Sequence, residues 1–301
     1  MSTVDIIVIV VYLVAIIAAG LACRGREGDV DEYFTSKGGF TGRLGVVLMG
    51  LSIAATLFSG ISFIVYTSTA YSDGAAIVLG AATIPVSWLV LKFWFLPRYL
   101  RQADDHPYAI VEARLGPAVR MCISGMFILS RLGWMGVMIS APTLVIMGAG
   151  GLGPEWFWPI VLVVGLSSTM YTAIGGIRGV IITDALQFLV MALGVAFIAG
   201  LILIRLDLPA SGIVRELGDA GRLRVLDFSL SLTRPLTVWS VMIGMSLAGL
   251  GAYASDLMML QRYMAAGSPA SALRSFAVNM WGAIFMIVAL VIVGLLLWVW
   301  Y

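Results

Sequence analysis

Charge is what this chain has least of. Only 11% of its 301 residues are Asp, Glu, Lys or Arg, against about 25% in a soluble globular chain. The net charge of +2 is too small to suggest a nucleic-acid partner. Histidine occurs once, at His106 in a polar loop, and cysteine twice, at Cys23 and Cys122. Two cysteines in apolar surroundings, without metal-type spacing, give neither a disulfide framework nor a zinc site. With one histidine and scattered acids there is no clustered acid–base constellation, which speaks against an intramembrane enzyme. The first residues, MSTVDIIVIV, have no basic leader of the cleaved kind, so the first apolar segment is expected to remain as a span.

Apolar residues are what is there, at 61% of the chain. That is more than one buried core needs, and it implies an all-α polytopic membrane protein. Eight apolar segments are expected, at about 5–22, 44–71, 75–97, 121–149, 157–175, 180–204, 236–262 and 276–300. The connections at 23–43, 98–120, 176–179 and 262–275 carry Arg24, Arg26, Lys37, Arg43, Arg98, Arg101, Arg114, Arg120, Arg178, Arg262 and Arg274. Those at 72–74 and 150–156 carry no Lys or Arg. The long 205–235 connection has five Arg, but long loops count little in setting orientation. Basic loops stay cytoplasmic, so the N-terminus is expected outside, in a multi-pass protein of the cell membrane. Trp156, Trp158, Trp298 and Trp300 then fall at the outer interface.

The second segment, LGVVLMGLSIAATLFSGISFIVYTSTAY, is unlike a plain lipid-facing span. Ser52, Ala55, Ser59, Ser62 and Tyr66 follow one another at spacings of 3, 4, 3 and 4, which gathers them on one helical face. A small, hydroxyl-bearing face belongs against other helices or a water-filled cavity. Ser59-Gly60 lies mid-span, where the helix can unwind. Unwound carbonyls persist in a membrane only if they line a cavity or bind something, and a cation satisfies them.

Ionisable residues within spans are functional candidates by default. Arg131 lies about eleven residues into the fourth segment, near the bilayer centre; it serves either a solute or a structural partner. Asp184 stands with Thr183 and Gln187 in GGIRGVIITDALQF. An acid in the first turns of a helix is favoured by the dipole, so position alone leaves structure and function even. Asp256 is six residues before Arg262, and an ion pair between the two is expected. Lys92, near a span end, is expected to snorkel. The seventh segment has Gly244, Gly249 and Gly251 around its middle. Two interrupted spans in corresponding positions point to an inverted-repeat transporter with a midplane site. The repeats would be about 44–204 and, incomplete, about 236–301.

Three stretches carry a resemblance to a known family. DEYFTSKGGF with LGVVLMGLSIAATLFSGISF, then YTAIGGIRGVIITDALQ, then YASDLMMLQRYMAAGSPASALRS resemble, in order, segments of the sodium:solute symporter family. The resemblance covers nearly the whole chain. It implies a LeuT-like inverted-repeat helical bundle, with sodium entry coupled to solute uptake. It also implies a sodium (metal) site formed by the carbonyls of Ala55 and Phe58, with Asp184 in or beside a sodium site. The family's further hydroxyls come from a ninth span. Sugar-carrying members have amide and acidic residues where this chain has Ile61, Ser62 and Gly249. The fourth segment looks more like the branch that carries monocarboxylates, vitamins or inorganic anions. The solute-binding candidates are Ser59, Ser62, Arg131 and Tyr253.

The expectation is therefore sodium-coupled symport of a small organic solute, a carboxylate or other anion, with sodium as coupling ion and no other cofactor. Its partners are the solute, sodium and the bilayer. A proton-coupled transporter of the same fold and a non-transporting solute sensor stay open as alternatives. The sequence stops at Tyr301, at the end of the eighth segment. It is thus expected to be a piece of something longer, truncated in the second repeat, that inserts without transporting by itself.

Overall fold

The computed structural model describes residues 3–23, 40, 42–102, 108–231 and 233–301. His106, and most of the DEYFTSKGGF stretch, lie outside the described residues. Every regular element among the described residues is helical. Helix α1 is Thr3–Ala22, α2 Gly42–Leu57 and α3 Gly60–Asp73. A 3-10 segment, Ala75–Ala82, leads into α4, Thr83–Val90. A π-helical turn, Leu91–Phe95, then joins α4 to α5, Leu96–Gln102. Helix α6, Ala109–Leu115, precedes α7, Pro117–Gly150, and α8, Phe157–Arg205. The connection to the seventh segment holds α9, Ala210–Asp219. A π-helical stretch, Ser240–Met245, opens α10, Ser246–Ser255, followed by α11, Leu257–Ala265, and α12, Pro269–Trp300.

Among the described residues, five helices are long and apolar enough to cross a bilayer, and counting each of two bent pairs as one span brings the number to seven. The bent pairs are α2 with α3, at 65°, and α10 with α11, at 56°. The expected segments at about 157–175 and 180–204 form the two arms of α8. They meet at Gly176, whose φ of 54° and ψ of −163° are non-helical. A positive φ is cheap only for glycine, so the chain turns there without a loop.

Helix α12 stands in the middle. It packs on α2, α3, α8, α4 and the 3-10 segment. Phe276, Ala283, Met286 and Leu290 on it are fully buried. Ser268 caps its start by accepting from Ser271 N–H, with Pro269 at the first helical position, where a missing N–H costs nothing. By contrast α7 exposes Met126, Leu129, Leu132, Val137 and Leu144, an apolar surface suited to hydrocarbon.

The Arg-bearing loop after α8 is tied to the rest. The Arg222 guanidinium donates to the carbonyls of Tyr71 and Ser72, both at 2.6 Å. These are carbonyls at the end of α3, which have no partner within the helix. Ala75 N–H donates to Arg222 C=O at 2.8 Å, and the guanidinium lies 4.8 Å from the Trp298 ring. Lys92 is held over Trp88 and Phe93, 4.7 and 5.0 Å from the ring centres.

Candidate functional site: two broken helices and two ion pairs

The first break falls where Ser59-Gly60 suggested. Phe58 N–H closes the last turn of α2 on Ala54 C=O at 2.9 Å. Ser59 is extended, with φ −125° and ψ −178°. Its N–H donates to Ser62 Oγ at 3.3 Å, so the Ala55 carbonyl loses the partner a continuous helix would supply. Ser62 Oγ donates in turn to Leu57 C=O at 3.3 Å. Phe58 is buried with its ring against Tyr66, 6.1 Å between centres. Ser59 and Ser62 are half-buried at the break. The expected face is therefore divided: Ser52 and Ala55 lie below the bend, Ser62 and Tyr66 above it.

The second break is not at the glycines of the seventh segment. Gly244 lies within the π-helical stretch, and Gly249 and Gly251 within α10. The chain opens instead at Asp256, with φ −72° and ψ 124°. Glycine permits a break, but a cap fixes one. The Asp256 carboxylate accepts from Met258 N–H at 2.9 Å and starts α11, as an N-cap aspartate does.

The ion pairs are exchanged relative to expectation. Asp256 does not meet Arg262; its carboxylate accepts from Arg131 Nη2 at 2.8 Å on Oδ1 and 2.6 Å on Oδ2. Arg262 pairs with Asp184, Nη2 to Oδ2 at 2.6 Å. The reason is helical geometry: six residues separate Asp256 from Arg262, about 9 Å of rise and about 120° of turn. The two side chains therefore leave α11 in different directions. Nor is Arg262 a basic loop residue, since only 1% of its side chain is exposed. Its Nε donates to Ser52 Oγ at 3.0 Å and its Nη1 to Met258 C=O at 3.0 Å. Ser52 Oγ donates to Asp184 Oδ2 at 3.0 Å. Residues from α2, α8 and α11 so form one buried polar knot, which single-helix periodicity does not reveal.

Other candidates take up different places. Thr183 is buried and donates to Gly179 C=O within its own helix. Tyr253, 4% exposed, packs edge-on against Phe276 at 4.6 Å and accepts from Asn279 at 3.2 Å. It thus sits in the packing of α10 against α12, with its hydroxyl engaged by Asn279. Arg131 is engaged by Asp256 and stacks on Phe127, 5.3 Å from the ring centre. Tyr108 meets Phe127 edge-on at 6.5 Å. Burial pushes the Tyr108 hydroxyl above the usual phenol range; the Asp256 charge adds to this and Arg131 offsets it.

A multi-pass helical bundle with two spans broken inside it, each break beside a buried or half-buried ion pair, has the architecture of a secondary transporter. The chain belongs to the sodium:solute symporter family, whose model matches residues 33–298. It is 27% identical over 284 residues to the human sodium/iodide cotransporter, covering 94% of this chain and 42% of that protein. It is 27% identical over 257 residues to sodium-coupled monocarboxylate transporter 2 of Danio rerio, covering 84% of this chain and 40% of the relative. The human sodium-coupled monocarboxylate transporter 1 is 27% identical over 259 residues, with 85% and 41% covered. The chain thus spans about two fifths of the length of these relatives. In fold it matches a Na+-coupled sialic acid symporter solved in a substrate-bound outward-open state. The TM-score is 0.89 at 24% identity, with 100% of this chain and 62% of that one covered.

Proposed function

We propose that the protein serves sodium-coupled symport of a small organic anion, such as a carboxylate, across the cell membrane, with its N-terminus outside. The observation that carries this reading is the break at Phe58–Ser59. It leaves the Ala55 carbonyl without its helical N–H inside a membrane span, and a hard cation is the ligand such a carbonyl fits. The carbonyls of Ala55 and Phe58 are the sodium ligands in this reading. Asp184, already paired with Arg262, acts on the cation through the charge and position of that knot. Ser59 and Ser62 face the solute at the bend. Arg131 supplies the positive charge, and Tyr253, three residues before the second break, is the remaining solute contact in this reading. The relatives named for iodide and for monocarboxylates point to the same charge of solute.

Binding of radiolabelled short carboxylates to the purified protein tests this, in sodium chloride against choline chloride at fixed pH. Binding is expected in sodium only. Asp184→Asn is expected to raise the half-saturating sodium concentration. Arg131→Lys is expected to weaken carboxylate binding roughly tenfold or more, since a point charge cannot replace forked charge-assisted hydrogen bonds. Binding that ignores sodium and follows pH instead would show proton coupling and overturn the reading.

A further inference from the structure

The two ion pairs at the helix breaks differ in a way that assigns them different work. Arg262 is sealed, and each of its three nitrogens has a protein acceptor. The Arg131–Asp256 pair is open by comparison, with 24% and 27% of the side chains exposed. Both of its hydrogen bonds run through one nitrogen, Nη2. The two-nitrogen edge of a guanidinium, which takes a carboxylate most strongly, is not what Asp256 uses. Asp256 is also doubly employed, because the same carboxylate caps α11 through Met258 N–H. A carboxylate held by one nitrogen at the hinge of a broken span can be exchanged for another.

We infer that Asp256 stands on Arg131 in the place of a solute carboxylate, so that an anionic solute binds by displacing Asp256 and in doing so releases the hinge between α10 and α11. This rests on the reading of the solute as an anion. The displacement keeps the guanidinium paired, since one carboxylate leaves it as another arrives, and the Asp256 carboxylate retains the Met258 N–H. Phe127 stays under the guanidinium throughout and keeps it in place. The hinge residue, freed from α7, keeps its cap on α11 but no longer ties that helix to the fourth segment. Solute occupancy and the geometry of the seventh segment are thereby coupled by a contact that both compete for.

The test uses the purified protein in sodium chloride, with labelled propionate as probe and propionamide as neutral competitor. Asp256→Asn and Asp256→Ser both remove the charge and keep an oxygen able to cap α11, so one failing to fold leaves the other, each checked by size exclusion. If Asp256 holds Arg131 for about nine-tenths of the time, either variant should bind propionate roughly tenfold more tightly than the parent, because the apparent affinity is reduced by the competent fraction. Adding Arg131→Met to either variant should abolish that gain, and propionamide should not compete. Unchanged or weaker propionate binding in the folded variants overturns the displacement. If propionate binds neither parent nor variants while propionamide binds both, the anion reading beneath it falls, which is a distinguishable result.

Discussion

Arg262→Met is expected to lower the melting temperature of the protein more than any other single change at the helix breaks. The substitution keeps most of the volume and removes the charge from the centre of the polar knot. Asp184 would be left largely buried, 16% exposed, with the neutral hydroxyls of Ser52 and Thr56 on α2 as partners from across the bundle. A buried charge that loses its counter-ion costs roughly 3–5 kcal/mol. Ser52 Oγ and Met258 C=O would each lose a donor as well. The double variant Arg262→Met with Asp184→Leu removes both charges and should recover a large part of the loss. Intrinsic-fluorescence melts in detergent read both. A double variant as unstable as the sum of the two singles would mean that the pair carries no coupling, and that the knot is held by packing alone.

Gly50→Val should be nearly as damaging, for a steric reason. A side chain at position 50 would place its Cβ 2.5 Å from Ser275 C=O and 2.5 Å from Val278 Cβ. The first of these is backbone of α12 and cannot turn aside. At Gly294, further along α12, the obstacle is the Thr67 carbonyl of α3. Helices in membranes gain by close van der Waals approach, which small residues permit. Overpacking a close contact typically costs 1–3 kcal/mol, about that much for one methyl and more for a branched side chain. The measurement is the yield of monodisperse protein and its melting temperature. Gly50→Ala should be milder than Gly50→Val, and Gly60→Ala, which meets open space, should fall well short of both. Equal stability in all three would rule out contact of α2 with α12 as a determinant of the fold.

These two expectations draw on different kinds of information. Small residues along the second segment are visible as a periodic face, but Gly50, where α2 meets α12 most closely, lies off that face, so this contact was not legible from spacing. The break at Ser59-Gly60 was legible, because a hydroxyl beside a glycine at mid-span is a local signal. The second break was legible only as a property of its segment. Three glycines marked the seventh segment as interruptible, yet the helix opens at Asp256. There a cap on Met258 and a partner on α7 act together. The cap is a short-range motif; the partner is not.

Composition and periodicity by themselves determined that this chain is a helical, multi-pass membrane protein, and ordered motifs placed it beside its family. Those properties follow from nearest-neighbour physics: the length of apolar runs against the thickness of a bilayer, and the 3.6-residue repeat of a helix. Which charge meets which was decided by the tertiary structure alone. Arg131 and Asp256 are 125 residues apart, and Arg262 and Asp184 are 78 apart. The six-residue spacing of Asp256 and Arg262 suggested a pairing that the turn of α11 forbids. Charges in hydrocarbon take the nearest opposite charge in space, and that neighbour is set by how helices pack.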